Sequence, residues 1–149
     1  MNTVDEILNY AIDQEQIAAD FYLATAEKAE SAEMKRMLLE FADEELRHKQ
    51  ILLNVQNGER NLTPEQEVLD LKISDYLVEV DTTDSSITYQ DALIIAMKRE
   101  KAAFDLYDSM AKKLPAGNLK EVLEGLAIEE SKHKLFFETQ YDDYVMTHN

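Results

Sequence analysis

Apolar residues recur along this chain in four long blocks at the 3.6-residue spacing of helices. In the first block Ile7, Leu8, Ala11, Ile12, Ala18, Ala19, Tyr22 and Ala26 share one face. Thr3-x-x-Glu6 ahead of it has the form of a capping box, so the spacing predicts a helix over about 4–30. Ser31 reads as turn and N-cap. A second face then follows through Met34, Met37, Leu38, Phe41, Ala42, Glu45, His48, Leu52 and Val55 to about Asn57, where Gly58 supplies a stop. Thr88 caps a third helix running to about Lys113, with Leu93, Ala96, Met97, Glu100, Phe104, Tyr107 and Met110 on one side. Leu114-Pro115-Ala116-Gly117 breaks it. The fourth runs from about Asn118 to Tyr144 through Leu119, Val122, Leu126, Glu130, His133 and Phe137.

Short joins at Ser31 and Pro115 make helical hairpins of the first and last pairs. Between them lie residues 58–87, a connection of about thirty residues, long for a compact domain unless it crosses the length of a bundle. Thr63-Pro64-Glu65-Gln66 reads as the start of a short helix reaching about Leu71, and 81–86 as loop. The expected architecture is all-α: one domain over 1–149, an antiparallel four-helix bundle of two hairpins joined by a long crossover.

Six polar residues interrupt these apolar faces: Glu15, Glu45, His48, Glu100, Glu130 and His133. Glu45-x-x-His48 and Glu130-x-x-His133 each span just under one helical turn, so carboxylate and imidazole share a face. The two motifs are 85 positions apart, and the same offset relates 8–57 to 93–142 without a gap, pairing Glu15 with Glu100 and Tyr22 with Tyr107. Four core-facing carboxylates repel one another and carry a severe desolvation cost. Two divalent cations offset four negative charges, so the duplicated pattern predicts a paired metal site.

Other residues are less decisive. Glu44 and Glu129 stand about 100° round the helix from the proposed ligands and are assigned to the solvated face. Tyr22 and Tyr107 are either amphipathic core fillers or hydroxyl donors to a ligand carboxylate. His148 lies at the tail with no partner motif, and Met37, Met97 and Met110 read as packing.

Composition narrows the chemistry. With no cysteine there is no disulfide, thiolate site, iron–sulfur cluster or thiol nucleophile. The net charge of −16 opposes binding to nucleic acid or anionic membranes. It is read first as a solvated surface, and second as a field that gathers cations. Neither a secretory leader nor a span of ~18 apolar residues is evident, so a cytoplasmic protein is expected. Oxygen and imidazole donors suit iron or manganese, with zinc possible. Six protein ligands on two ions leave positions open, and open positions on a redox pair suit dioxygen or peroxide.

The pattern Glu15…Tyr22…Glu45…His48, repeated as Glu100…Tyr107…Glu130…His133, resembles the rubrerythrin branch of the ferritin-like superfamily over about residues 4–144. The resemblance implies a bundle whose single-Glu helices and Glu-x-x-His helices hold a carboxylate-bridged di-iron centre. Glu45 and Glu130 would bridge two iron ions, with Glu15 joining one histidine and Glu100 the other. It implies peroxide reduction or oxidation of ferrous iron, linked to oxidative stress, in a cytoplasmic homodimer or larger assembly. Two departures stand out. Rubrerythrin proper carries a cysteine-ligated rubredoxin domain, so electrons here would come from an external donor such as a rubredoxin-like protein. It also has an extra carboxylate three residues after the third-helix Glu, where this chain has Ala103. A symmetric six-ligand site is expected, with ferroxidase chemistry the rival to peroxidase chemistry.

Overall fold

The structure is a computed structural model, described here for residues 2–59, 68–69 and 87–148. Four helices carry it: α1 Val4–Ala26, α2 Ala32–Asn54, α3 Tyr89–Lys113 and α4 Asn118–His148. Residues 2–3 (β1) pair antiparallel with Val68–Leu69 (β2).

Local chemistry sets most of the boundaries. Thr3 accepts from the Glu6 amide at 3.1 Å and Ser31 from the Met34 amide at 3.0 Å, each satisfying an otherwise orphaned N–H of a first turn. Thr88 and Asp91 form a reciprocal capping box. The chain leaves α2 through one π-helical turn, Val55–Glu59, in which Gly58 takes φ +121°, a conformation that glycine adopts without a Cβ penalty.

Two helix ends differ from the periodicity. α1 stops at Ala26, not near residue 30, because Glu27, Lys28 and Ala29 bond back three residues in a tightened turn. α4 continues past Tyr144 to His148. Its last turn is held by the His148 ring stacked on Tyr144 at 3.8 Å and an ion-pair contact from His148 Nε2 to Glu30 at 3.1 Å. Of the short helix expected over 63–71, most lies outside the described residues. Val68 and Leu69, which are described, are extended: pairing with residues 2–3 prevails there over helix propensity.

The direction of each helix follows from its end contacts. α1 packs along α2 and α3 along α4, as expected of hairpins. Lys28, just past the end of α1, donates to the Ile87 carbonyl just before α3, so α3 starts where α1 finishes and runs antiparallel to it. The bundle is therefore antiparallel, and α2 ends at the opposite end of it from where α3 begins. The core falls into two clusters. One gathers Ile7, Leu8, Leu52, Met110 and Leu123; the other gathers Ala19, Leu38, Phe41, Leu93 and Phe137. Four carboxylates and two imidazoles lie between them in chain position on every helix.

Candidate metal centre

Glu15, Glu45, His48, Glu100, Glu130 and His133 are all buried. α1 and α3 each bring one glutamate and α2 and α4 each a glutamate and a histidine, all at the level where the apolar stripe is interrupted, which is why the six converge. They form two overlapping groups, Glu15–Glu45–His48–Glu130 and Glu45–Glu100–Glu130–His133. In each, one donor atom per residue lies within 4.8 Å of the others. Glu45 and Glu130 belong to both. The structure thus pairs Glu15 with His48 and Glu100 with His133, which the sequence left open.

The contacts cross between hairpins. His48 Nδ1 is 2.6 Å from Glu130 Oε1, 3.5 Å from Glu15 Oε2 and 3.9 Å from Glu45 Oε1. His133 Nδ1 is 3.0 Å from Glu45 Oε1 and 3.5 Å from Glu100 Oε1. The two rings are nearly parallel, with centroids 6.3 Å apart. Tyr107 donates to Glu15 Oε1 at 2.5 Å and Tyr22 to Glu100 Oε1, so both tyrosines act as hydroxyl donors to carboxylates of the opposite hairpin. Such bonds orient a carboxylate and fix which oxygen faces the centre.

Glu44 and Glu129 depart from the sequence reading. They are partly solvated, yet Glu44 Oε2 lies 2.6 Å from His133 Nε2, and Glu129 Oε2 lies 3.0 Å from His48 Nε2. Each histidine turns Nδ1 inward and offers Nε2 to a carboxylate outside. That arrangement sets the tautomer and makes Nδ1 a better donor to a cation. The repeat itself carried the signal, since Glu44 and Glu129 stand at the common offset of 85. His148 lies against Glu30 and takes no part.

Crowding the carboxylates together shifts their protonation. Burial, then repulsion from Glu100 and Glu15, pushes the Glu45 carboxyl well above its ordinary range. Burial, then Glu100, Glu45 and Glu15, does the same to Glu130. Burial disfavours ionised Glu100 also, but bonds from Glu130 and His133 overcome it and hold Glu100 low. Burial likewise opposes a charged His133, and Glu100 and Glu45 overcome that, raising it to about 11. Protons thus stand in for cations. Glu15 Oε2, Glu45 Oε1, Glu100 Oε2, Glu130 Oε2 and His133 Nδ1 are buried without a well-aligned hydrogen bond among the described residues, even where, as for His133 Nδ1 and Glu45 Oε1 at 3.0 Å, two of them lie close together. One orphaned oxygen on each of four carboxylates is costly in a protein interior. Once those protons leave, the same oxygens and ring nitrogens are donors of the kind that a pair of hard or borderline cations takes. The donor set fits two such ions.

Residues 6–141 match the rubrerythrin family. The chain belongs to that family. Among solved structures, one candidate ferritin-like diiron-carboxylate protein from Thermotoga maritima is similar, with 20% identity, 95% of this chain and 96% of that chain covered, and a TM-score of 0.75. A hypothetical protein from Pyrococcus furiosus is similar at 24% identity, covering 94% and 89%, with a TM-score of 0.70. At such identities the likeness speaks to the fold, and the fold is ferritin-like. No curated protein matches the chain in sequence. Membership of the rubrerythrin family agrees with the resemblance drawn from the duplicated motif. Among the described residues no helix is long and apolar enough to cross a membrane.

Proposed function

We propose that the chain is a di-iron oxidoreductase that reduces hydrogen peroxide with electrons from an external donor. Glu15, Glu45, His48 and Glu130 would hold one ion, and Glu45, Glu100, Glu130 and His133 the other. The observation that supports this most strongly is the pair of buried quartets sharing Glu45 and Glu130. A ferrous pair held there would supply one electron per ion, the two that H2O2 + 2 H+ + 2 e− needs to give two waters. The chain's own part is to orient and to exclude water. Tyr22 and Tyr107 hold Glu100 and Glu15, while Glu44 and Glu129 hold the two rings. With no cysteine, these 149 residues offer no thiolate-bound redox centre of their own, so re-reduction is assigned to a donor outside them.

A second reading, oxidation and transfer of ferrous iron, has its own support in Ala103, which stands where a seventh carboxylate would be and lines a small cavity beside the carboxylates. Anaerobic iron loading with elemental analysis tests the site, and about two ions per chain are expected. Stopped-flow oxidation of the diferrous protein then tests the chemistry. Faster oxidation by peroxide supports the first reading. Faster oxidation by dioxygen transfers the assignment to the second.

A further inference from the structure

The ligand cluster is reached by a cavity of about 30 Å³ between α1 and α3. Its inner wall is carboxylate, with Glu15, Glu45, Glu100 and Glu130 all contributing. Ala18 and Ala103, each three residues after a ligand glutamate, leave the space open. A water needs roughly 10–15 Å³ of such volume, so the cavity takes a molecule of about two oxygen atoms and excludes bulky organic hydroperoxides.

Gln14 and Arg99 occupy equivalent places on the two sides of this cavity, at the same offset of 85 that relates the ligands. At this place the repeat differs. Arg99 is 9% exposed and its guanidinium lies 5.7 Å from the centre of the Phe21 ring. Its Nε–H has no hydrogen-bond acceptor among the described residues. Arg99 lines the cavity and is the one cationic side chain among the described residues of that lining; its buried Nε–H shows that the guanidinium's hydrogen-bonding capacity is not used up by its neighbours. Four carboxylates alone would repel any anion. Two divalent cations cancel those four charges, and Arg99 then leaves the cavity with a net positive charge.

We propose that Arg99 is the specificity-determining residue of this site, holding hydrogen peroxide in the α1–α3 cavity by hydrogen bonding to a peroxide oxygen. This rests on the di-metal reading above. Hydrogen peroxide accepts a hydrogen bond on either oxygen, and acceptance strengthens as negative charge develops there while the O–O bond takes up electrons. Dioxygen is neutral and a poor acceptor, so it gains little from the guanidinium. Arg99 keeps its proton throughout; the two protons of the reaction come from solvent.

The test uses the wild type, Arg99→Gln and Arg99→Lys. Glutamine already occupies the equivalent position 14, so Arg99→Gln should preserve the helix, which circular dichroism checks. The redox-inert dizinc proteins are first titrated with fluoride by calorimetry. Wild type should bind fluoride about tenfold more tightly than Arg99→Gln, with Arg99→Lys between them. In stopped flow on the diferrous proteins, Arg99→Gln should slow oxidation by peroxide about tenfold and leave oxidation by dioxygen within twofold. Unchanged fluoride affinity, or peroxide and dioxygen rates falling together, overturns the assignment in favour of a structural arginine. Should Arg99→Gln not fold, Gln14→Arg puts the question from the other wall: fluoride binding should tighten, and no change overturns the proposal. Wild type binding fewer than two ions per chain overturns the di-metal reading and this proposal with it. Two ions bound, with an unchanged peroxide-to-dioxygen ratio in the variant, overturns the role of Arg99 alone.

Discussion

The two hairpins bring identical ligands to the centre and unequal surroundings. Glu15, Glu45 and His48 come from the first, and Glu100, Glu130 and His133 from the second. Each tyrosine crosses to the other's carboxylate, and each histidine is backed by a glutamate of the other. Away from the ligands the match fails. His133 stacks on Phe41 at 4.3 Å, whereas the residue equivalent to Phe41 is Leu126. Arg47 bonds Glu129 at 2.5 Å, and its counterpart is Lys132. Arg99 faces Gln14 across the cavity. Where the halves agree, a paired metal site of the kind proposed would need the same donors twice. Where they differ, that requirement does not apply. The comparison thus sets the residues proposed to hold metal apart from Arg99, proposed to act on what reaches it.

The largest effect should come from removing a shared ligand. A metal that binds only the folded form stabilises it by about 2.7 kcal/mol at a hundredfold excess over Kd, which is a rise of roughly 5–10 °C for a chain of this size. Glu45→Ala and Glu130→Ala should each abolish most of that rise and lower the metal content below two ions per chain. Thermal melts with and without anaerobic Fe(II) measure it. A loss in one variant only would break the equivalence of the hairpins.

The metal-free protein should respond to pH in the direction opposite to most acidic proteins. Glu45 and Glu130 have raised pKa values when folded, so the folded state binds more protons than the unfolded chain above the ordinary carboxylate value near 4.5. Stability therefore falls as pH rises from there through the raised values. His133, raised to about 11, contributes stability fully below its unfolded value near 6.5 and loses it as pH rises toward 11. The melting temperature of the apo protein should thus decline between pH 5 and 8. Metal-induced stabilisation should grow over the same range, because the cations displace those protons. An apo melting temperature that rises with pH in this window would contradict the protonated cluster.

Tyr22→Phe and Tyr107→Phe remove one buried hydroxyl each. Because each bonds a carboxylate, each loss should cost about 1.5–3 kcal/mol in the metal-loaded protein, and by similar amounts in the two variants. Denaturant melts report it. Glu44→Gln and Glu129→Gln should weaken metal binding by about tenfold without abolishing it. Glu129→Gln should be the more costly, since it also frees Arg47; exposed pairs of that kind are worth about 0.2–1 kcal/mol. Competition with a chelator gives the affinities. The smallest effect is expected from His148→Ala, with metal content unchanged and stability within about 0.5 kcal/mol.

Much of this was legible from residue spacing. The helices follow from apolar period and caps, because Thr3, Ser31 and Thr88 each satisfy a real first-turn amide. The six central residues follow from polar side chains on apolar faces, doubled at one offset. What stayed hidden was pairing. Whether Glu15 meets His48 or His133 depends on which hairpin faces which, and no local period encodes that. Glu44 and Glu129 do reach solvent, as helix phase predicts, but phase alone left out their second contact. It does not say that an imidazole edge from the opposite hairpin waits there. Arg99 could have been found by asking where the two repeats diverge next to a ligand, since a lone cation on an apolar face beside Glu100 breaks the pattern as plainly as the acids do. Val68 and Leu69 gave no such sign, since their pairing is with residues far away in sequence.

The crossing of contacts also bears on ancestry. Each quartet draws three donors from one hairpin and one from the other, by the same rule in both directions. Two copies of a single hairpin, related by a twofold axis, would therefore reproduce both quartets, both tyrosine bonds and both outer glutamates. The chain has the logic of a homodimer whose subunits have been fused. In a single chain one copy of the cavity wall is free to differ from the other, as Gln14 differs from Arg99, which a homodimer of identical hairpins could not do.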